Sequence, residues 1–243
     1  MAKKAHYRPP LAALQHRLLA TGVAFVAFGA LTKLGREALP VTLAAFAVAI
    51  GAHLGVLGLV LLGSCAWFRW LTAVLRPRDV ERLLDALELR GDEVIVDLGT
   101  GDGIVAVAAA KRVPRGSVIA VDDWRRPHGG HGHSPAVVEA NAELEGVAGR
   151  VRVMTAPFDR LDLPNASVDA AIACFSLHHL ERSARAGALH ELARVLAPNG
   201  RLLVAEPLHR TEFATTLEQA RFTVTRGGRT FPRALFGWVL ARR

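Results

Sequence analysis

The chain has 243 residues, 51% of them hydrophobic, and a formal charge of +8. That length admits one full-sized domain plus a small extra element, and the apolar fraction excludes a disordered chain. Two cysteines, Cys65 and Cys174, exclude a disulfide framework and a CxxC site.

The charge is unevenly placed. Residues 1–78 hold nine Lys/Arg and a single acid, Glu37, which accounts for the whole +8. The remainder is neutral, but it too is divided. Six arginines and no acid follow residue 218, leaving residues 79–218 at −6. An evenly basic, nucleic-acid-binding surface does not fit this distribution. An apolar first third with basic flanks points to a membrane.

Leu18–Thr32 is a run of 15 residues without charge, and Ala38–Phe68 a run of 31. At about 1.5 Å per residue, the second exceeds the roughly 30 Å hydrocarbon core. The first reaches that length from Leu11, with His16 and Arg17 snorkelling to the interface. Gly35 and Pro40 punctuate the link between them. Residues 1–75 therefore predict a membrane-anchoring hairpin of two transmembrane helices. A cleaved signal peptide and a soluble hairpin are the alternatives. A long second run without a polar face speaks against both. Gly51, Gly55 and Gly58 lie near one face of the second helix, open to its hairpin partner or to a second copy in a homodimer. His53 reads as a neutral imidazole bonded across the helix pair. Lys3, Lys4, Arg8 and Arg17 precede the hairpin; Arg69, Arg76 and Arg78 follow it, with Trp67 and Trp70 as interfacial anchors. The positive-inside rule makes this an integral protein of the inner or plasma membrane, with everything after the hairpin cytoplasmic.

Residues 76–243 alternate strands and helices. Val80, Leu83, Leu84 and Leu87 mark an amphipathic helix. Val94–Val96 is a strand, Ile104–Arg112 a helix, and Val118–Val121 a second strand. Residues 135–146 are helical, opened by Ser134 and Pro135 as cap and first residue. Val151–Met154 and Ala170–Phe175 are strands, Leu189–Leu196 a helix and Arg201–Ala205 a strand. Phe222–Thr225 and Gly237–Ala241 close the chain as strands. Near-continuous apolar strands alternating with helices predict an α/β fold, a doubly wound, seven-stranded, mostly parallel sheet. Ligands bind such sheets at the carboxyl ends of the strands.

The first strand runs into Asp97-Leu98-Gly99-Thr100-Gly101-Asp102-Gly103. A dinucleotide fingerprint places its last glycine three residues after the second; here Ile104 fills that position. Asp97 would also repel a pyrophosphate. A carboxylate there suits S-adenosylmethionine, which carries an α-ammonium and a sulfonium.

This segment resembles the first motif of the class I S-adenosylmethionine-dependent methyltransferases, of the type 11-like kind. Asp122 matches the family's acid at the end of the second strand. Phe175-Ser176-Leu177-His178-His179-Leu180 looks like its substrate-facing motif. The stretch from Glu191 to Val204 resembles its last helix and fifth strand, with Asn199 where glycine is usual. The resemblance implies that Asp97 and the loop of Gly99, Gly101, Asp102 and Gly103 hold the methionine end. It implies that Asp122, followed by Asp123 and Trp124, meets the ribose. Trp124 then either packs on adenine or caps the strand. The acid that often meets the adenine amine is replaced by Pro157; the resemblance then leaves Phe158 to pack on adenine and Asp159 to reach its amine.

Trp124 to Pro135 holds His128, His131 and His133 in a glycine-rich insert. No cysteine or acid lies close to make a metal site, so the insert is either a solvated loop or a cover for the substrate pocket, with His131 and His133 as lining. His178 is the candidate base, beside Ser176 as a substrate contact; the alternative is a histidine bonding loop backbone. No Asn-Pro-Pro-Tyr signature of nucleic-acid amino-methylation occurs. The expected activity is methyl transfer to O, N or S of a lipophilic small molecule: a quinone or phenol, heteroaromatic, thiol or lipid. The alternatives are a soluble or protein substrate, and a cofactor-binding module without turnover.

Overall fold

A computed structural model describes residues 12–34, 41–72, 77–125, 134–206, 210–229 and 237–243. The chain divides into two compact units, one built on two helices and one on a sheet.

Helices α1 (Ala12–Leu34) and α2 (Val41–Thr72) form the first unit. They meet where two glycines face each other. A Cβ on Gly58 would lie 2.7 Å from Gly22 O and 3.0 Å from Phe25 Cβ; one on Gly22 would lie 2.9 Å from Leu62 Cγ. Residue numbers rise on one helix as they fall on the other, so the pair is antiparallel. Of the three glycines singled out on α2, Gly58 is used within the hairpin, Gly51 is buried and Gly55 faces open space. Among the described residues, His53 bonds along its own helix and not across the pair. Its Nδ1–H donates to Ala49 O, 2.7 Å away and one turn back on the same helix. Leu31, Val56 and Leu59 are more than 60% exposed. Ala47–Ser64 is long and apolar enough to cross a membrane; the apolar stretch of α1, Leu19–Phe28, is shorter. Among the described residues, one helix meets that length where two were expected.

The second unit is a seven-stranded sheet in the order β3-β2-β1-β4-β5-β7-β6. The strands are β1 (Val94–Leu98), β2 (Ser117–Asp122), β3 (Val151–Thr155), β4 (Val168–Cys174), β5 (Leu196–Glu206), β6 (Thr223–Arg229) and β7 (Gly237–Arg242). β1 to β5 are parallel; β7 runs antiparallel to β5 and β6. The helices are α3 (Pro77–Asp85), α4 (Ile104–Arg112), α5 (Pro135–Leu144), α6 (Arg182–Val195) and α7 (Arg210–Gln219). Two buried clusters cover the two faces, one including Val96, Leu98 and Leu192, the other Ile95, Val105 and Ile172. Burial on both faces is why β1, β2 and β4 are apolar throughout.

Four local differences from expectation have physical causes. α6 starts at Arg182, because Arg185 is buried by pairing with Glu212 at 3.1 Å rather than by apolar character. α7 fills the segment before β6. β4 ends at Cys174, since Phe175 takes φ +55° and cannot extend the strand. Two of the tail arginines are tied to the sheet domain itself. Arg242 pairs with Glu88 at 2.9 Å, and Arg243 donates to Ala193 O at 2.9 Å and to Leu196 O. Because β7 is antiparallel, both sit at the amino end of the parallel strands. Asn199, standing where glycine is usual, has φ +65°, a conformation asparagine tolerates better than most residues.

Candidate active site

The order reverses between β1 and β4, so their carboxyl ends open a crevice. The loop after β1 enters it with Gly99, Gly101 and Gly103 at φ +78°, +56° and +80°. Gly99 and Thr100 donate their N–H groups to Val121 O at 2.8 and 3.0 Å, docking the loop on β2. Gly99 also has no room for a side chain. A Cβ there would lie 2.1 Å from Ser176 Cβ and 3.4 Å from Phe158 Cζ. The loop, the end of β4 and the turn after β3 therefore converge on this glycine. Gly103 packs on Val138, and Asn141 donates to Asp102 O at 2.9 Å, fixing the loop to α5.

Asp97 is 1% exposed and accepts a 2.7 Å hydrogen bond from Thr100 Oγ1. Burial pushes its carboxyl from the ordinary 3.8 up to about 7. The Thr100 hydroxyl and the Ala106 N–H oppose the rise, and the Asp122 charge adds to it. A carboxylate held this way is stabilised by an incoming cation. The ammonium and sulfonium of S-adenosylmethionine fit that requirement, and the loop's glycine backbone allows close approach.

Asp122 is itself part of the loop. Its Oδ2 accepts from Gly101 N–H at 3.0 Å and its Oδ1 from Trp124 N–H at 3.1 Å. Each oxygen keeps a second lone pair for a ligand hydroxyl. Trp124, at φ +55°, donates its indole N–H to Thr155 Oγ1 at 2.9 Å and so ties the ends of β2 and β3 together. Asp123 accepts from Arg125 N–H at 3.1 Å. Phe158 stands beside Gly99. His128, His131 and His133 lie outside the described residues.

The turn after β4 holds a residue that sequence reasoning missed. Glu206, the last residue of β5, is 2% exposed. Its Oε1 accepts from Ser176 N–H at 2.8 Å and Leu177 N–H at 2.7 Å. Its Oε2 lies 2.6 Å from His178 Nδ1. One carboxylate thus organises the turn and orients the imidazole. Ser176 is also buried, and its Oγ has no hydrogen-bond partner among the described residues. Phe175 meets the His178 ring edge-on at 6.2 Å, and the His179 ring lies 3.8 Å from it. The signal for Glu206 was an acid directly after the apolar run Leu202–Ala205, at the carboxyl end of a strand.

The geometry agrees with comparison to known proteins. Residues 95–200 match the family model described as a methyltransferase domain. They form a class I S-adenosylmethionine-dependent methyltransferase domain. An uncharacterized methyltransferase of Mycobacterium tuberculosis is 30% identical over 124 residues, 51% of this chain and 55% of that protein. The demethylmenaquinone methyltransferase of Thermus thermophilus is 33% identical over 146 residues, 60% of this chain and 57% of that one. The chain spans about half the length of these curated relatives. A solved Burkholderia thailandensis 1,6-didemethyltoxoflavin-N1-methyltransferase, with its substrate and S-adenosylhomocysteine bound, is 25% identical with a TM-score of 0.51. That match covers 69% of this chain and 77% of that one.

Proposed function

We propose that the chain is a membrane-anchored methyltransferase that moves the methyl group of S-adenosylmethionine to a lipophilic small molecule. Asp97 and the loop of Gly99, Gly101, Asp102 and Gly103 bind the methionine end. Asp122, Asp123, Trp124 and Phe158 bind the ribose and adenine. Ser176 and His178 face the substrate. The observation that carries the membrane half is the outward apolar surface of the hairpin, with Leu31, Val56 and Leu59 exposed along helices that have no charged face. Its basic flanks favour a cytoplasmic methyltransferase domain. A quinone-directed relative supports a lipophilic acceptor.

Labelled cofactor tests this reading. Full-length protein in vesicles is offered a total lipid extract or a soluble-metabolite extract. Label enters the organic phase with the lipid extract. Label confined to soluble products or protein refutes the lipophilic acceptor. Removing residues 1–75 should release the domain from membranes; a full-length chain soluble without detergent refutes the anchor.

A further inference from the structure

We propose that Glu206 is a positioning residue that holds His178 as the base for a phenolic hydroxyl substrate. This rests on the methyltransferase reading and specifies the acceptor's chemistry.

Glu206 ties three groups of one turn to the end of β5: the N–H groups of Ser176 and Leu177, and the His178 imidazole. With Nδ1 committed to a buried carboxylate, Nε2 is the nitrogen left for substrate. The turn sits against the glycine loop, because Ser176 Cβ occupies the space a Gly99 side chain would need. His178 is thereby held within two residues of the cofactor crevice. A buried carboxylate behind an imidazole fixes its tautomer and orientation, which leaves Nε2 as the acceptor for a proton. A neutral amine or sulfide acceptor has no proton to surrender before attack. A phenolic hydroxyl, with an ordinary pKa near 10, gains most from such a base.

The step balances as follows. The O–H bond breaks and its proton passes to His178 Nε2. The freed electron pair, at oxygen or through the ring at the ortho carbon, forms the bond to the methyl carbon. The carbon–sulfur pair stays on sulfur, leaving a neutral thioether. In the ortho case the ring hydrogen then leaves as a proton. The imidazolium returns its proton to solvent.

Glu206 faces His178 from β5, and the His179 ring lies tilted against it from the same turn. Burial and the charges of Glu206 and Asp97 push the Cys174 thiol up. The Arg185–Glu212 pair approaches through the bond from Arg185 to Leu180 O at 2.6 Å.

The test uses the full chain in vesicles, with 1,4-naphthohydroquinone as probe and saturating cofactor. Glu206→Gln keeps an oxygen for the two N–H groups but removes the charge. It should lower kcat about 100-fold, with the KM of the probe and cofactor affinity within about twofold. Glu206→Asp should restore part of the rate, and His178→Gln should lower it at least as far as Glu206→Gln does. Bound labelled cofactor reports folding of each variant. A Glu206→Gln enzyme with kcat within threefold of the parent overturns the proposal. So does a parent that binds cofactor yet methylates a neutral amine and not the phenol. A parent that binds no cofactor instead overturns the methyltransferase reading itself.

Discussion

Cofactor binding should be coupled to a proton through Asp97. The carboxyl is buried at the end of β1 and titrates at about 7, whereas the cofactor's cationic end requires it ionised. The ionised fraction is then about one tenth at pH 6 and a few per cent at pH 5.5. Apparent affinity should therefore fall about tenfold per pH unit below 7. Between pH 7.5 and 5.5 the dissociation constant should rise roughly 25-fold. Equilibrium dialysis with labelled cofactor across that range measures this directly. The pH stays below the cofactor's own α-amino titration, so the slope belongs to the protein. Asp97→Asn should bind weakly at every pH with no slope. The ligand-free domain should show the opposite trend in stability. A carboxyl whose folded value lies above its unfolded 3.8 favours folding most below pH 3.8, and that contribution is lost as pH rises to 7. The loss is about 4 kcal/mol at most, so Asp97→Asn should stabilise the ligand-free domain at pH 8. A dissociation constant unchanged between pH 5.5 and 7.5 would show that Asp97 does not gate the cofactor.

Four further substitutions probe three separate parts of the account. Gly99→Ala must place a methyl 2.1 Å from Ser176 Cβ at φ +78°, so cofactor affinity should drop at least about tenfold; isothermal titration showing parental affinity would contradict the crevice geometry. Glu93 is buried and accepts from Arg90, Gly91 and Asp92 N–H groups and from Arg201, at 2.7 to 3.2 Å. Burial alone would raise its carboxyl, but these donors hold it at about 2, below the ordinary 4.5. Its contribution is therefore present above pH 4.5 and lost as pH falls toward 2, and Glu93→Ala should cost about 2–3 kcal/mol near pH 7 by denaturant unfolding. Gly58→Leu should part α1 from α2, while Gly55→Leu should not, because only Gly58 touches Gly22; cross-linking between cysteines introduced into the two helices reads the difference.

What the sequence revealed was mostly local. The glycine loop was legible because left-handed turns at Gly99, Gly101 and Gly103 demand that residue. The strands were legible because burial on both faces leaves unbroken apolar runs. Asn199 was recognisable as a glycine substitute because few other side chains tolerate its backbone. What escaped depends on register between distant segments. Glu206 reaches Ser176 and His178 only because Cys174 pairs with Ala205 across β4 and β5. Asp122 looked like a free ribose ligand, but its neighbours Gly101 and Trp124 turn back onto it. Gly22 carried no signal as a partner for Gly58, since antiparallel offset is set by the whole hairpin. His53 satisfied itself one turn away, a choice helical spacing allowed but did not dictate.

Transfer of labelled methyl from S-adenosylmethionine to lipid extract, by full-length protein and by its Asp97→Ala variant in vesicles, tests the central claim most directly. The account predicts label in the organic phase with the parent and background label with the variant. Equal transfer by the two proteins, or none by a parent that binds the cofactor, would contradict it.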